Sequence, residues 1–328
     1  MLDQVLEVFG IVPDIDLDLM QPGQTLSGLG SKVLSAMDAV LVAEQPDWVL
    51  VQGDTTTVMM SALAAQHRQV RVGHVEAGLR TYDRRNPFPE EMNRVVADHV
   101  SDLCFAPTEG ARQNLLREGI ADSKIVITGN TVIDALLAVA ARGWMPPIGH
   151  VLAGLPSNRR WILVTAHRRE SFGAPLNGIC QALRRLIMER GQYVHVVYPV
   201  HRNPNVWGPV HEALSGLSGI TLLPPVDYRS LVYLMQHSAL ILTDSGGIQE
   251  EAPSLNKPVL VLRETTERPE VVTVGAARVV GTDPDRIVAE TIRLLDDPAA
   301  YAQMAAAPNP FGDGRAAGRI VETLLQTS

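Results

Sequence analysis

Six short polar clusters in this chain each follow directly on an apolar, β-branched run. The runs occupy residues 48–52, 70–75, 161–166, 194–200, 239–243 and 258–262, and the clusters lie at 53–57, 76–80, 167–170, 201–205, 244–247 and 263–268. Such runs are typical of strands buried in parallel sheets. Ligands bind outside the carboxyl ends of the strands in open parallel α/β sheets, so the pattern predicts a binding site formed by these clusters.

The strand-like runs alternate with helical patterns, which predicts parallel βαβ units covered by helices. The helical patterns lie at residues 58–67, 90–100, 111–118, 176–190 and 230–237. A further helix is predicted over 132–141, and Pro146-Pro147 follows it as a linker, after which the alternation restarts. A chain of 328 residues exceeds the usual size of one core. We therefore expect two Rossmann-like, doubly wound domains facing a cleft, although Met1–Phe9 has helical spacing where such a domain normally opens on a strand.

Composition and charge exclude several classes of protein. The net charge is −8 and the isoelectric point is near 5.6, which argues against a nucleic-acid-binding face. No apolar run approaches the about 20 residues of a membrane span, and no signal peptide opens the chain, so we expect a cytoplasmic protein with no membrane partner. Cys104 and Cys180 lie in apolar stretches without metal-ligand spacing, which predicts reduced core residues and no metal site.

The cluster that begins at Asp244 combines several features of a nucleotide-binding turn. Gly246 and Gly247 allow backbone N–H groups to approach a pyrophosphate, and carboxylates one turn later, such as Glu251, have the reach to bind ribose hydroxyls. The alternative is an ordinary turn in which Asp244 or Ser245 caps the helix. Because all of these features share one turn, we favour the binding interpretation.

Two further clusters supply cationic groups. His167 and Arg168 end the first strand of the second predicted domain, and guanidinium and imidazole groups suit phosphate. The alternative is a solvated charged loop. His201 lies on a turn between Tyr198-Pro199-Val200 and Asn203-Pro204-Asn205, where it is able to donate to a leaving phosphate. A lone histidine is more often structural, and its polar neighbours favour the functional interpretation.

In the first half of the chain, carboxylates are the candidate acids and bases. Asp54 and Glu76 end successive strands, so both lie on the same rim of the sheet, and Glu90 and Glu91 open a helix. The alternative for Glu90 is an i,i+4 pair with Arg94. Together the carboxylates suggest proton-transfer chemistry. His74 lies inside a strand and is interpreted as a core histidine.

These motifs resemble the non-hydrolysing UDP-N-acetylglucosamine 2-epimerases. The resemblance runs along the whole chain in the family's order. It rests on residues 52–57 (QGDTTT), 73–80 (GHVEAGLR), 89–94 (PEEMNR), 128–131 (TGNT), 165–170 (TAHRRE), 198–201 (YPVH), 244–253 (DSGGIQEEAP), 265–270 (TTERPE) and 312–315 (GDGR).

The resemblance implies a fold, a reaction and a set of site residues. The fold is of GT-B type, with an N-terminal Rossmann-like domain over 1–145, a UDP-binding domain over 146–312 and a C-terminal helix, 313–328, that returns to the first domain. The reaction interconverts UDP-GlcNAc and UDP-ManNAc, by UDP elimination and re-addition, in a homodimer that feeds cell-surface polysaccharide synthesis without metal or other cofactor. The implied catalytic residues are Asp54, Glu76, Glu90 and His201, and the implied UDP-binding residues are His167, Arg168, Ser245, Gly246, Gly247, Glu251 and Arg268.

One departure from the family pattern concerns the N-terminus. The family opens with a strand, a Gly-Thr-Arg-Pro-Glu loop and a helix carrying basic residues, whereas Met1-Leu2-Asp3-Gln4 matches an internal helix. The resemblance therefore implies a chain that lacks this segment and has impaired activity. The alternatives are a hydrolysing relative that releases ManNAc and UDP, a GT-B glycosyltransferase, and a catalytically dead UDP-sugar-binding protein.

Overall fold

A computed structural model describes residues 2–327 as an alternation of helices and parallel strands. The strands are β1 (Trp48–Gln52), β2 (Arg71–Val75), β3 (Leu103–Ala106), β4 (Ile125–Ile127), β5 (Arg160–Thr165), β6 (Val194–Pro199), β7 (Ile220–Leu223), β8 (Ser238–Thr243), β9 (Val259–Val261) and β10 (Ala277–Val279). The α-helices are α1 (Leu2–Phe9), α2 (Leu26–Glu44), α3 (Thr56–His67), α4 (Glu90–Val100), α5 (Glu109–Arg117), α6 (Thr131–Ala141), α7 (Ala174–Arg190), α8 (Pro204–Leu214), α9 (Tyr228–His237), α10 (Gly246–Glu251), α11 (Pro269–Thr273), α12 (Pro284–Asp296), α13 (Pro298–Ala305) and α14 (Ala316–Gln326).

The described strands form two sheets, and every pairing between them is parallel. One sheet has the order β1-β2-β3-β4 and the other has the order β10-β9-β8-β5-β6-β7. In the second sheet the chain winds outward from β5 in both directions, which is the arrangement of a doubly wound fold. The prediction of an α/β protein with two parallel sheets is confirmed.

The chain divides into two compact units, one around each sheet. The four-stranded unit comprises Val12–Asp134 and Phe311–Ser328, and the six-stranded unit comprises Met1–Ile11 and Ala135–Pro310. The division falls inside α6, before the Pro146-Pro147 segment at which the sequence predicted it. The predicted limits of 1–145 and 146–312, with 313–328 returning to the first domain, stay a prediction.

Helix α1 groups with the six-stranded unit, although the sequence placed residues 1–145 together. Val8 is buried, and its carbonyl accepts a hydrogen bond from the guanidinium of Arg142, which also lies 5.5 Å from the ring of Phe9. The helical spacing predicted α1 correctly. The contact with Arg142 joins residues more than 130 positions apart, and local periodicity carries no information about such a contact.

In the four-stranded unit, α3 begins where the chain leaves β1. The hydroxyl of Thr55 accepts a hydrogen bond from the backbone N–H of Val58 and so caps the helix. Val58, Ala62 and Ala65 then pack against buried residues of the sheet and of α4. Because the cap lies one residue after Asp54, the start of α3 also limits the conformations open to the turn that carries this carboxylate.

Helix α2 corrects one expectation from the sequence. It has 19 residues and a mean hydropathy of 1.4 over an 18-residue stretch, so by length and composition it is long and apolar enough to cross a membrane. Of that stretch, 17% is buried. Lys32 and Asp38 interrupt its sequence, so the sequence shows no continuous apolar run over α2. Core helices and signal sequences also meet this criterion. Val33 and Leu41 of α2 are buried, and Asp38 pairs with Arg68 at the end of α3.

Candidate functional site

Asp54 and Glu76 follow neighbouring strands of the four-stranded sheet. Gln52 and Val75 are paired in the register of β1 and β2, so the residues after them leave the sheet side by side. A Cβ atom on Gly53 would lie 3.6 Å from Oε2 of Glu76, which places this carboxylate against the turn that carries Asp54. Asn130 donates a hydrogen bond of 3.5 Å to Oε1 of Glu76. The structure therefore brings these two predicted carboxylates together.

Helix α4 also contacts the turn that carries Asp54. Nδ2 of Asn93 donates to the backbone carbonyl of Asp54 over 2.9 Å, and the guanidinium of Arg94 lies 3.1 Å from the Asp54 carboxylate. The alternative for Glu90, an i,i+4 pair with Arg94, is not formed between the carboxylate and guanidinium groups. Arg94 pairs instead with Asp54 and, at 3.7 Å, with Glu91. The half-buried Glu90 is the first residue of α4.

Glu91, which the sequence grouped with the candidate acids, has a structural environment. It is buried, and its carboxylate accepts hydrogen bonds from the backbone N–H groups of Thr81 and Tyr82 at 2.8–3.1 Å. These hydrogen bonds occupy the carboxylate and fix the loop that follows Arg80. We therefore separate Glu91 from Asp54, Glu76 and Glu90.

Glu76 has a backbone conformation that is uncommon for a residue with a side chain. Its φ is +67°, in the left-handed region. Non-glycine residues in this region cost of order 1 kcal/mol or more and cluster at functional sites. Gly78 is also left-handed, with a φ of +83°, and a Cβ there would lie 2.4 Å from the carbonyl oxygen of Ala111. Close packing of this loop against α5 therefore requires the glycine.

In the six-stranded unit, Asp244 organises the loop that carries His167 and Arg168. Its buried Oδ2 atom accepts hydrogen bonds from the backbone N–H groups of both residues, each at 2.8 Å, and from the hydroxyl of Ser171 at 3.1 Å. The alternative in which Asp244 or Ser245 caps the following helix through its side chain is not observed. The carboxylate at the end of β8 instead fixes the loop after β5.

His167 and His201 stack on each other. Their ring centroids are 5.3 Å apart, with an interplanar angle of 16°. Burial lowers the pKa of His167, and the neighbouring His201 and Arg168 add to this effect against the attraction of Asp244. Nδ1 of His201 accepts the backbone N–H of Asn203, so the proton of the neutral ring is on Nε2, which remains a donor.

Two guanidinium groups lie beside the glycines that open α10. A Cβ on Gly246 would lie 3.5 Å from Nη2 of Arg168 and 3.8 Å from the guanidinium carbon of Arg268. Arg268 also pairs with the buried carboxylate of Glu250. Guanidinium groups suit a phosphate-bearing ligand. The structure therefore brings together Arg168, Arg268, Ser245, Gly246 and Gly247.

Glu251, at the end of α10, is buried against Tyr228. Its Oε1 accepts the Tyr228 hydroxyl over 2.7 Å. Burial raises the pKa of Glu251 to about 7, the neighbouring Glu250 adds to the increase, and the hydrogen bond from Tyr228 opposes it. A buried carboxylate that the protein does not neutralise with a cation is suited to accept hydroxyl hydrogen bonds from a ligand.

Replacement of Glu251 by glutamine is expected to stabilise the ligand-free protein above pH 7. The pKa of Glu251 is raised from 4.5, its value in the unfolded chain, to about 7 in the folded chain. Between these pH values the native state binds more protons than the unfolded state, so its stability falls as the pH rises from about 4.5 to 7. The cost at pH 8 is on the order of 3 kcal/mol, and glutamine removes it while still accepting from Tyr228. Denaturant unfolding at pH 5 and pH 8 measures the effect.

The control is Glu189→Gln, an exposed glutamate of α7 in the same unit. It is expected to change the unfolding free energy by less than about 0.5 kcal/mol at either pH. A Glu251→Gln gain that is equal at pH 5 and pH 8 would contradict the assignment of the effect to ionisation.

Several residues that support these clusters were not assigned from the sequence. They are Asn93, Asp98, Asn130 and Tyr228. Asn93 lies three residues after Glu90, so the helical pattern of α4 already placed both on one face of the helix. The other three bind Gly78, Arg80, His74, Glu76 or Glu251, which lie at least 18 residues away, and no local signal predicts such contacts.

Both cysteines are buried, and neither forms a disulfide. Burial raises the pKa of the Cys180 thiol to about 11 and raises that of the Cys104 thiol further, so both are protonated near neutral pH. The prediction that both cysteines are core residues is confirmed. Among residues 2–327, no group of three His, Cys, Asp or Glu side chains is arranged to hold a metal ion.

Comparisons with known proteins identify the family. A family model described as UDP-N-acetylglucosamine 2-epimerase matches residues 1–325. The chain is 53% identical to UDP-N-acetylglucosamine 2-epimerases of Salmonella typhimurium, over 329 residues, and Escherichia coli, over 331 residues, covering 99% of this chain and 87% of each relative. The crystal structure of UDP-GlcNAc 2-epimerase from Neisseria meningitidis bound to UDP-GlcNAc superposes with a TM-score of 0.90 at 44% identity, covering 99% of this chain and 88% of that one.

These matches confirm the predicted GT-B type of fold with two Rossmann-like domains. They do not support the predicted loss of an N-terminal segment, since they extend along 99% of this chain. The chain belongs to the UDP-N-acetylglucosamine 2-epimerase family, whose members are isomerases.

Proposed function

We propose that this chain interconverts UDP-GlcNAc and UDP-ManNAc without net hydrolysis, and that Asp54, Glu76 and Glu90 carry the protons. The proton at C2 is removed, its bonding pair forms a C1–C2 double bond, and the C1–O bond breaks with its electrons leaving on UDP. Re-addition of UDP at C1 and protonation of C2 from the opposite face give the epimer. Atoms balance with no other reactant, because the UDP that is expelled is the UDP that returns.

The carboxylate cluster carries this proposal. Inversion at C2 requires proton removal on one face and delivery on the other, which one fixed carboxylate does not provide. Here Asp54 is held by Arg94 and Asn93, while Glu76 is held in a left-handed conformation beside it. Glu90 opens α4, the helix that supplies both Arg94 and Asn93. Several carboxylates with distinct surroundings are what paired acid and base roles require.

The six-stranded unit supplies the groups for UDP. Arg168, Arg268 and the backbone at Ser245, Gly246 and Gly247 suit the diphosphate, and the Glu251 carboxylate suits the ribose hydroxyls. His201 has an Nε2–H donor for the departing diphosphate oxygen, and the stacked His167 supports its ring. The Neisseria meningitidis relative was solved with UDP-GlcNAc bound, which supports this choice of ligand.

Proton NMR of UDP-GlcNAc incubated with the chain in D2O tests the proposal. We expect deuterium at C2 together with the signals of UDP-ManNAc. Accumulation of free ManNAc and UDP would identify a hydrolysing enzyme instead. UDP binding with no exchange at C2 would identify a binding protein, and transfer of the sugar to an acceptor without C2 exchange would identify a glycosyltransferase.

We further propose that the chain acts as a cytoplasmic homodimer, as the resemblance implies. Light scattering of the purified protein measures its molar mass and therefore its oligomeric state. A mass of twice 35.6 kDa is expected, and a mass of 35.6 kDa at micromolar concentration would contradict it.

A further inference from the structure

His74 lies at the centre of a buried polar network beneath Asp54 and Glu76. It is the fourth residue of β2, and its side chain is completely buried. Nδ1 lies 2.6 Å from Oδ1 of Asp98, and Nε2 lies 2.7 Å from the carbonyl oxygen of Gly53. The sequence suggested an ordinary core histidine, but both ring nitrogens have polar partners.

Both partners of His74 accept hydrogen bonds. A backbone carbonyl has no proton to donate. The carboxylate of Asp98 also accepts from Nη2 of Arg80 at 2.6 Å and from the N–H of Gly78 at 3.2 Å, contacts that favour its ionised form. An imidazole between two acceptors satisfies both only when each nitrogen carries a proton. The geometry therefore calls for the imidazolium form, with a buried positive charge.

The charged groups around His74 balance this charge. Asp98 of α4 faces it directly, and Arg80 bridges Asp98 to Glu118 at the end of α5. Glu76 follows on the same strand, and Cys104 is its register partner on β3. Asp98 and Glu76 raise the pKa of His74 against the effect of burial, in the direction that the geometry requires.

The network reaches the candidate catalytic groups through the backbone. Gly53 precedes Asp54, and the two carbonyls of this turn accept from His74 and Asn93 respectively. His74 belongs to β2 of the sheet and Asn93 belongs to α4, so the turn is fixed on both of its peptide groups. Glu76 lies two residues after His74 and begins the loop whose Gly78 N–H also binds Asp98.

We propose that His74 is a positioning residue for the reaction: as a buried imidazolium it fixes the Gly53–Asp54 turn through Nε2–H, and its charge stabilises the carboxylate form of Glu76. This inference rests on the proposed function, since it assigns His74 a role through the carboxylates that carry the protons. His74 is then a buried cation near Glu76, whereas Arg94 of α4 is the cation that pairs with Asp54.

The first test reads the protonation state of His74 in the full wild-type chain. Nitrogen-15 NMR of protein labelled at histidine is expected to show both ring nitrogens of His74 protonated at pH 7.5, with the signal assigned by its loss in His74→Gln. A neutral ring, with one nitrogen unprotonated at that pH, would overturn the inference whatever the variants do.

The second test separates positioning from stability. His74→Gln is expected to lower kcat about 100-fold, because a misplaced reacting group costs this much, while KM and the dissociation constant for UDP stay within about twofold. Loss of the cation beside Glu76 is expected to shift the acidic limb of the kcat–pH profile to higher pH. The matched control is His99→Gln, an exposed histidine of the same unit, which should leave kcat unchanged.

A double variant covers the case in which His74→Gln folds poorly. His74→Gln with Asp98→Asn removes both charges of the pair, so it is expected to recover stability relative to the single variant and to keep the lowered kcat and the shifted pH profile. Recovery of wild-type kcat together with stability would show that the pair is only structural. Absence of C2 exchange in the wild-type chain would instead refute the proposed function. The nitrogen-15 NMR spectrum would still decide, independently of activity, whether His74 is an imidazolium.

Discussion

Replacing Glu76 with glutamine is expected to lower the rate of C2-proton exchange and of epimerisation by about 10²- to 10⁴-fold, the usual contribution of a positioned acid or base. Glutamine matches the shape of glutamate and retains an Oε1 acceptor for Asn130, so the left-handed turn is expected to persist. Because the proposed UDP-binding groups belong to the six-stranded unit, the dissociation constant for UDP should be unchanged. Solvent-exchange NMR in D2O gives the rate, and titration calorimetry gives the affinity.

The matched control for this prediction is Glu109→Gln. Glu109 lies in the same unit, its side chain is 58% exposed, and it pairs with Arg112 on the surface of α5. This variant should retain full activity. If Glu76→Gln exchanged the C2 proton at the wild-type rate, Glu76 would not be a proton carrier, and Asp54→Asn and Glu90→Gln would become the variants to measure.

Replacing Arg168 with glutamine is expected to weaken UDP binding about 10- to 100-fold, because a charge-assisted hydrogen bond contributes roughly 1.5–3 kcal/mol. The Arg168 backbone is held by Asp244, and its guanidinium lies beside Gly246. The loop should therefore keep its conformation when the side chain is changed. Arg268 is a less clear choice, since its loss would leave the buried Glu250 without its cation. Titration calorimetry with UDP measures the effect.

Arg185→Gln is the control for Arg168→Gln. Arg185 lies on α7 of the same unit, is 42% exposed and pairs with Asp285, so the variant makes the same change in charge away from the glycines of α10. Its affinity for UDP should remain within about twofold of wild type. Equal losses in the two variants would indicate that net charge, rather than a local contact with phosphate, accounts for the effect.

Much of the fold follows from local patterns. The limits predicted for β1 and α4 agree with the structure, and most of the other predicted strands and helices differ from it by one or two residues at their ends. The C-terminal helix predicted from residue 313 begins three residues later, at Ala316. These elements show a clear apolar period or a flanking turn, both of which are properties of neighbouring residues. Helix α2 was not predicted, because Lys32 and Asp38 interrupt its apolar pattern.

The candidate site divides in the same way. Its position after the strands could be predicted because side chains at the carboxyl ends of parallel strands share one edge of a sheet. Which partners those side chains take could not. Arg94 had two carboxylates within reach, and only the packing of α4 on the sheet places its guanidinium against Asp54 and Glu91 rather than Glu90.

The amino-acid sequence was sufficient to predict the alternation of strands and helices and the two parallel sheets. It also predicted the edge of one sheet at which Asp54 and Glu76 lie and, separately, the edge of the other at which His167 and Asp244 lie. These properties depend on spacing over a few residues. The pairing of His74 with Asp98, the loop held by Asp244 and the packing of α1 on the six-stranded unit join residues 24, 76 and more than 130 positions apart. Such contacts form only when whole elements pack, because burial brings distant polar groups together and requires them to satisfy one another.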